Sequence, residues 1–198
     1  MAPPRKHETD VILDAARALV LAGGPRATSV AAIAKSSGAP PGTLYHRFGN
    51  RDGILTAAWL RALERFQARA MAAEADAPME TAVAMAVTGI SFARELPEDA
   101  RLLLTIRPGD LLDSEPDTAF QETLAAMNAP LNERINTLAR QLYGRRDSRC
   151  VDAVVRAVAD LPYAVVRRHA HDEPMPPWLE ADVAASARAV LRSFGERT

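Results

Sequence analysis

A chain of 198 residues, 48% hydrophobic and 25% charged, is long enough to bury a core without disulfides or metals. Its one cysteine, Cys150, excludes an intrachain disulfide, the first ten residues lack the apolar stretch of a signal peptide, and no apolar run approaches the roughly 18 residues of a membrane span. Net charge is −1, yet residues 1–52 carry a surplus of +3 and the remainder −4, so we expect a soluble cytoplasmic protein with one basic end suited to a polyanion.

The chain reads as helix throughout, with no sustained two-residue alternation. Ile12, Leu13, Ala16, Leu19 and Val20 make one apolar face of a first helix, which Gly23-Gly24-Pro25 stops. Ahead of it, Arg5 and Lys6 form either a disordered tail or an ordered arm. A second helix starts after Thr28-Ser29, either of which can cap it, and runs to Ser36; Gly38 breaks it. A third begins at Pro40-Pro41 and lasts two turns, to about Phe48. Asn50 caps a fourth, expected from about Arg51 to Asp76. Further helices are expected from Pro78 to near Glu95, over Glu98–Ile106, to Tyr143 with Pro130 as a kink, from a Ser148 cap to about Ala170 across Pro162, and from Trp178 to Phe194. The turn Arg107–Asp110 and a possible cap region at Ser114–Asp117 lie between the Glu98–Ile106 helix and the one ending at Tyr143.

Two short helices around a glycine turn form a helix-turn-helix when the second is exposed enough to enter a major groove. Ala34 is small where the helices approach, and Val30, Ile33, Leu44 and Phe48 are spaced to pack the pair onto the first helix. Residues 28–55, TSVAAIAKSSGAPPGTLYHRFGNRDGIL, carry more than this pattern. Ile33-Ala34, Gly38, Gly42-Thr43-Leu44-Tyr45-His46-Arg47-Phe48, Asn50-Arg51-Asp52 and Leu55 together resemble the TetR family of transcriptional regulators, over about residues 10–57. The resemblance implies an all-α fold, with a three-helix DNA-binding domain at residues 1–52 and a helical effector-binding and dimerisation domain at 53–198.

It also implies roles for matching residues. Thr28 or Ser29 would bond a phosphate at the N-terminus of the second helix. Gly42 would allow close approach to base edges, and Thr43 would contact a base or a thymine methyl. Tyr45 and His46 would clamp phosphates, and Arg51 would contact the backbone. Pro40 and Pro41 depart from the family pattern, so Pro41 sits at the DNA-facing start of the recognition helix without a capping side chain. In the body, Trp59, Phe66, Met85, Phe92, Leu103, Met127 and Tyr163 are core residues or, as the resemblance implies for some, line a cavity for a small, mainly apolar molecule. Arg107 lies near a turn that gates such cavities in the family.

The last two helices present apolar faces, Val151, Val154, Val155, Val158, Leu161 and Val165 on one and Val183, Ala187, Val190, Leu191 and Phe194 on the other. They suit a two-fold intersubunit four-helix bundle, or they close the subunit's own core. His169 and His171 are two apart on a helix and do not face each other, which argues against a metal site. Cys150 reads as a buried structural thiol. No nucleophile–base pair or phosphate-cradling loop is evident, so neither enzymatic activity nor a cofactor is expected. The reading is therefore a homodimer that binds double-stranded DNA and a small-molecule effector, most simply a repressor relieved by that effector. An activator or effector-independent regulator of the same fold is the alternative within the class; a helical enzyme or metal-binding protein is the alternative outside it.

Overall fold

Apolar residues recurring every three or four positions wind nearly all of the chain into helix, and no strand occurs among the described residues. The computed structural model describes residues 5–107, 109, 118–145 and 147–195; Asp110 and the Ser114–Asp117 segment lie outside these. In order the helices are α1 (Arg5–Gly23), α2 (Val30–Ser37), α3 (Pro41–Phe48), α4 (Arg51–Ala72), α5 (Pro78–Glu95), α6 (Pro97–Thr105), α7 (Thr118–Tyr143), α8 (Ser148–Val155), α9 (Leu161–His169) and α10 (Leu179–Gly195). Because α1 begins at Arg5, the backbone of Arg5 and Lys6 is helical, neither a free tail nor an extended arm. Two compact units emerge: Met1–Leu63 with Glu98–Gln121, and Glu64–Pro97 with Glu122–Thr198.

The first unit buries Ile12, Leu13, Ala16 and Val20 of α1 against Ile33 and Ala34 of α2, with Leu44 of α3, Ile54, Leu55, Ala58 and Trp59 of α4, and Ala100 and Leu102 of α6 in the same core. Each large side chain so buried contributes about 1.5–3 kcal/mol. Ion pairs then tie the helices by direction. Arg17 of α1 donates to the buried carboxylate of Asp99 and to Glu98 Oε2 (2.5 Å) at the start of α6. Arg61 of α4 reaches back to Asp10 (2.8 Å) and Asp14 (2.5 Å) on α1. Burial opposes the charge of Arg17. The hydrogen bond to Asp99 and the fields of Asp99, Asp14 and Glu98 outweigh it and hold the guanidinium above its already high value. At the other end of α6, Trp59 Nε1 donates to the Ile106 carbonyl (3.1 Å).

The second unit is built on α5, whose buried Ala82, Val83, Met85, Ala86, Ile90, Phe92 and Ala93 leave little of the helix polar. Packed against α5 are α9 and α10, the latter burying Leu179, Val183, Ala187, Leu191 and Phe194. Ion pairs here sit at the rim, Arg188–Glu80 (2.6 Å) and Arg69–Glu95 (3.1 Å) among them. Tyr143 donates to the Leu191 carbonyl (3.2 Å) and lies edge-on to Phe194; burial raises its pKa.

Two local expectations need correction, and two others are refined. Helix α4 ends at Ala72 rather than near Asp76: Arg134 donates to the Met71 (2.8 Å) and Ala73 carbonyls, and the Thr81 hydroxyl takes both polar groups of the Ala75 residue. The cap of α8 is Asp147, not Ser148, because the carboxylate accepts from two amides, Arg149 (3.0 Å) and Cys150 (3.1 Å). Those bonds, the Cys150 amide first, hold the Asp147 pKa low. The helix through Pro162 runs unbroken from Ser148 to His169, as expected, but is widened ahead of the proline. A π turn, Arg156–Asp160, precedes the proline, with the Leu161 amide bonding the Arg156 carbonyl five residues back. Of the two apolar faces, Val154, Val158, Val183, Ala187, Leu191 and Phe194 are buried within the subunit, while Val151, Val155, Leu161, Val165 and Val190 are partly exposed. An amphipathic period says that a face is covered, not by whom. Among the residues that α9 and α10 turn outward are Tyr163, Ala181, Ala185 and Ala189, beside charged ones such as Arg167, Arg168, Asp182 and Arg192, with Trp178 just ahead of α10.

Candidate nucleic-acid interface

Helix α2 starts from Ser29, extended in backbone, whose side-chain oxygen accepts from the Ala32 amide (3.1 Å). That leaves the hydroxyl proton available as a donor at a helix N-terminus, where an anion is favoured. Thr28 differs: its side chain is buried and donates to the Gly24 carbonyl (3.0 Å). Of the two residues assigned to a phosphate, Ser29 is the exposed one.

Gly38 ends α2 at φ +70°, a left-handed conformation that costs glycine little. Pro40 then precedes Pro41, the first residue of α3, with no side-chain cap. The prolines cannot donate, and the Pro40 carbonyl accepts from the Thr43 amide (2.9 Å). Leu44 is fully buried and anchors α3. Around it, Pro41, Gly42, Tyr45 and His46 are exposed or partly so, with Tyr45 at 54%, and Thr43 is partly so. Arg47 instead turns to α1 and donates to Thr9 Oγ1 (3.1 Å). A short helix held by one buried leucine and one arginine thus offers a face of small groups, a phenol and an imidazole.

The link from α3 to α4 rests on a residue that the spacing argument passes over. A Cβ on Gly53 would lie 2.0 Å from the Phe48 carbonyl oxygen, whereas one on Gly42 would meet nothing within 4 Å. Gly53 also donates its amide to Asn50 Oδ1 (2.8 Å), completing the expected Asn50 cap. A glycine three residues after an N-cap asparagine is the signal that could have found it. Arg51, expected on the phosphate backbone, is 16% exposed and donates to the Thr28 carbonyl (2.8 Å), the Pro25 carbonyl and Asp52 Oδ1 (2.6 Å).

The residues assigned to a ligand pocket divide between the units. Trp59, Leu103 and Arg107 belong to the first, where Trp59 is buried and Arg107 exposed. Phe66, Met85, Phe92, Met127 and Tyr163 belong to the second. There Phe66 meets Phe92 edge-on at 5.5 Å, Met85 is buried on the same helix as Phe92, Met127 is partly covered, and Tyr163 is 48% exposed. Sequence reasoning missed a part-buried polar pair in this unit, the buried Gln67 donating through Nε2 to Asn128 Oδ1 (2.7 Å) and joining α4 to α7. It also missed a cleft of about 500 Å³ lined by Met71, Thr81, Glu133, Arg134 and Leu138 among others. No His/Cys/Asp/Glu group able to hold a metal occurs among the described residues. None of the helices described is long and apolar enough to cross a membrane.

Residues 12–58 match the family described as bacterial regulatory proteins, tetR family. No curated protein matches the chain. Among solved structures, the TetR family transcriptional regulator PfmR from Thermus thermophilus aligns at 22% identity over 91% of this chain and 97% of its own, with a TM-score of 0.70. A TetR-like transcriptional regulator from Rhodococcus sp. RHA1 aligns at 19% identity over 96% of each chain, TM-score 0.70. The transcriptional regulator FadR from Bacillus subtilis, in complex with stearoyl-CoA, aligns at 16% identity over 92% of this chain and 95% of its own, TM-score 0.63. At these identities the structural likeness speaks to fold.

Proposed function

We propose that the chain, whose residues 12–58 match the tetR family of bacterial regulatory proteins, represses transcription as a homodimer on a pseudo-palindromic operator and is released by a small, mainly apolar effector. The observation that carries the reading is the presentation of α3: Leu44 is buried while Pro41, Gly42, Tyr45 and His46 face solvent. Residues at the start of such a helix meet base edges in the major groove, and its flanks meet phosphate. Gly42 and Thr43 then read bases. Tyr45, His46 and Ser29 hold phosphates. Two-fold symmetry sets the recognition helices about 34–36 Å apart or somewhat more.

The dimer forms through the outward side of α9 and α10, where Tyr163, Trp178 and a row of alanines are exposed. For the effector, Phe66, Met85 and Phe92 offer an apolar, adaptable wall, and the stearoyl-CoA held by the B. subtilis FadR supports an acyl-type ligand in this fold. An effector releases the operator only if it binds the two arrangements of the dimer unequally.

Genomic DNA selection with the purified protein, followed by titration of the recovered fragment at several salt concentrations, tests the reading. We expect recovery of a palindrome bound with strong salt dependence. Recovery of no sequence above background overturns it.

A further inference from the structure

Arg51 opens α4 at the position where the sequence pattern places a cation on the phosphate backbone, yet its guanidinium is turned inward. Nε donates to the Thr28 carbonyl (2.8 Å), Nη2 to the Pro25 carbonyl, and Nη1 to Asp52 Oδ1 (2.6 Å). Pro25–Ala27 is the single 3-10 turn between α1 and α2, and Thr28 closes it, its own amide bonded to the Pro25 carbonyl (3.0 Å). Next along the chain is Ser29, the cap of α2. One planar fork therefore fastens both ends of the α1–α2 connection to the first turn of α4.

We propose that Arg51 is a positioning residue for DNA binding: it sets the N-terminus of α2, and Ser29 with it, relative to the α3–α4 junction, and does not itself bind phosphate. The proposal rests on reading the protein as an operator-binding regulator. Four features support it. The side chain is 16% exposed, low for a group meant to meet DNA. Swinging it out would strip a charge-assisted donor from the Thr28 carbonyl, next to a buried side chain. And the three acceptors lie on two separate chain segments, a geometry that a fork satisfies and a point charge does not. Asp52 beside it also neutralises much of the field that a phosphate would feel.

The two roles make opposite predictions for Arg51→Lys, which keeps the charge and loses the fork. If Arg51 positions, Arg51→Lys weakens binding of the selected fragment about tenfold or more, with the slope of log K against log salt unchanged, and Arg51→Met costs little more. If Arg51 binds phosphate, Arg51→Lys stays within about threefold of the unaltered protein and Arg51→Met lowers the slope by about one; that result overturns the proposal. Affinities are measured at a temperature where circular dichroism shows each variant fully helical. Amide hydrogen exchange at residues 29–32 of the DNA-free protein is the second readout. Faster exchange there in both variants, with α5 and α10 unchanged, is expected, and unchanged exchange at 29–32 also overturns the proposal. Because exchange needs no DNA, failure to select any operator would sink the functional reading and leave this one still decided.

Discussion

The two units hold their helices by different physics. In the first, guanidinium forks cross between helices at fixed angles: Arg17 from α1 to α6, Arg61 from α4 to α1, Arg47 from α3 to α1, Arg51 from α4 to the α1–α2 turn. In the second, alanine and valine faces press together and most charged pairs stay at the rim, as Arg188–Glu80 does, with the Arg134 and Arg94 forks the exceptions. Directional bonds specify one arrangement and penalise every other. Small apolar faces specify contact but tolerate a slide. A unit that must present α3 in one orientation benefits from the first kind of packing. Under the function proposed above, a unit that answers to an occupant benefits from the second.

The comparison is sharpest where shape is altered without loss of bulk. Leu191→Ala, at a fully buried site in the second unit, should cost about 3–4 kcal/mol in urea unfolding, while Leu191→Met should cost less than about 1.5 kcal/mol. In the first unit, Asp99→Ala should cost about 2–3 kcal/mol, less than for an isolated buried pair because Glu98 and Asp14 still face Arg17. Arg17→Lys should cost nearly as much despite keeping the charge. Equal tolerance of Leu191→Met and Arg17→Lys would erase the distinction between the units.

Next in size is a pair of glycines. Gly53→Ala drives a Cβ into the Phe48 carbonyl and should lower stability by about 2 kcal/mol. Gly42→Ala meets open space and should raise it by about 0.5 kcal/mol while weakening operator binding about tenfold or more by band shift. Tyr45→Ala should leave the melting temperature within about a degree or two, since the ring is half exposed, and weaken operator binding about threefold or more. A Tyr45→Ala protein with unchanged affinity would remove Tyr45 from the interface.

The smallest effect is with pH. Asp147 and Glu80 both have folded-state pKa values below their ordinary ones, through the Cys150 amide and the Arg188 guanidinium respectively. A depressed carboxylate contributes stability above its unfolded pKa and loses it as pH falls through the folded value. The second unit should thus soften only below the ordinary carboxylate range, and Asp147→Asn with Glu80→Gln should flatten the acid limb of a thermal-melt series. An unaltered acid limb would show that these groups add nothing.

The helix-turn-helix is legible in the sequence because its constraints are local. Gly38 supplies a positive φ two residues before the prolines, Leu44 and Phe48 are one turn apart, and Asn50 caps the helix beyond them. The ion-paired frame is not legible, since Asp99 lies 82 residues from Arg17 and nothing in either neighbourhood names the other. Arg51 escapes the sequence for a related reason: its acceptors include two backbone carbonyls, which no residue type announces. At the start of α8 a serine beside an aspartate offers two plausible caps, and only the geometry shows the carboxylate accepting from two amides at once. The apolar faces of the last helices announce that they are covered, but periodicity carries no information about which surface covers them.

Cys150, Val154, Val158, Pro162 and Val166 recur every four residues and all are buried. An unbroken α-helix turns about 100° per residue, so such a row drifts roughly 40° at each step and would have wandered about 160° round the axis by Val166. The wider turn at Arg156–Asp160 absorbs about one residue's worth of that rotation and returns the row to the core. It works as a phase corrector, letting a four-residue rhythm run the length of a helix whose natural period is about 3.6. Deleting a single residue there would close the wide turn to an ordinary one and leave everything beyond it, Tyr163 included, facing nearly where it does now, whereas the same deletion a turn earlier, in regular helix, would swing it by roughly 100°.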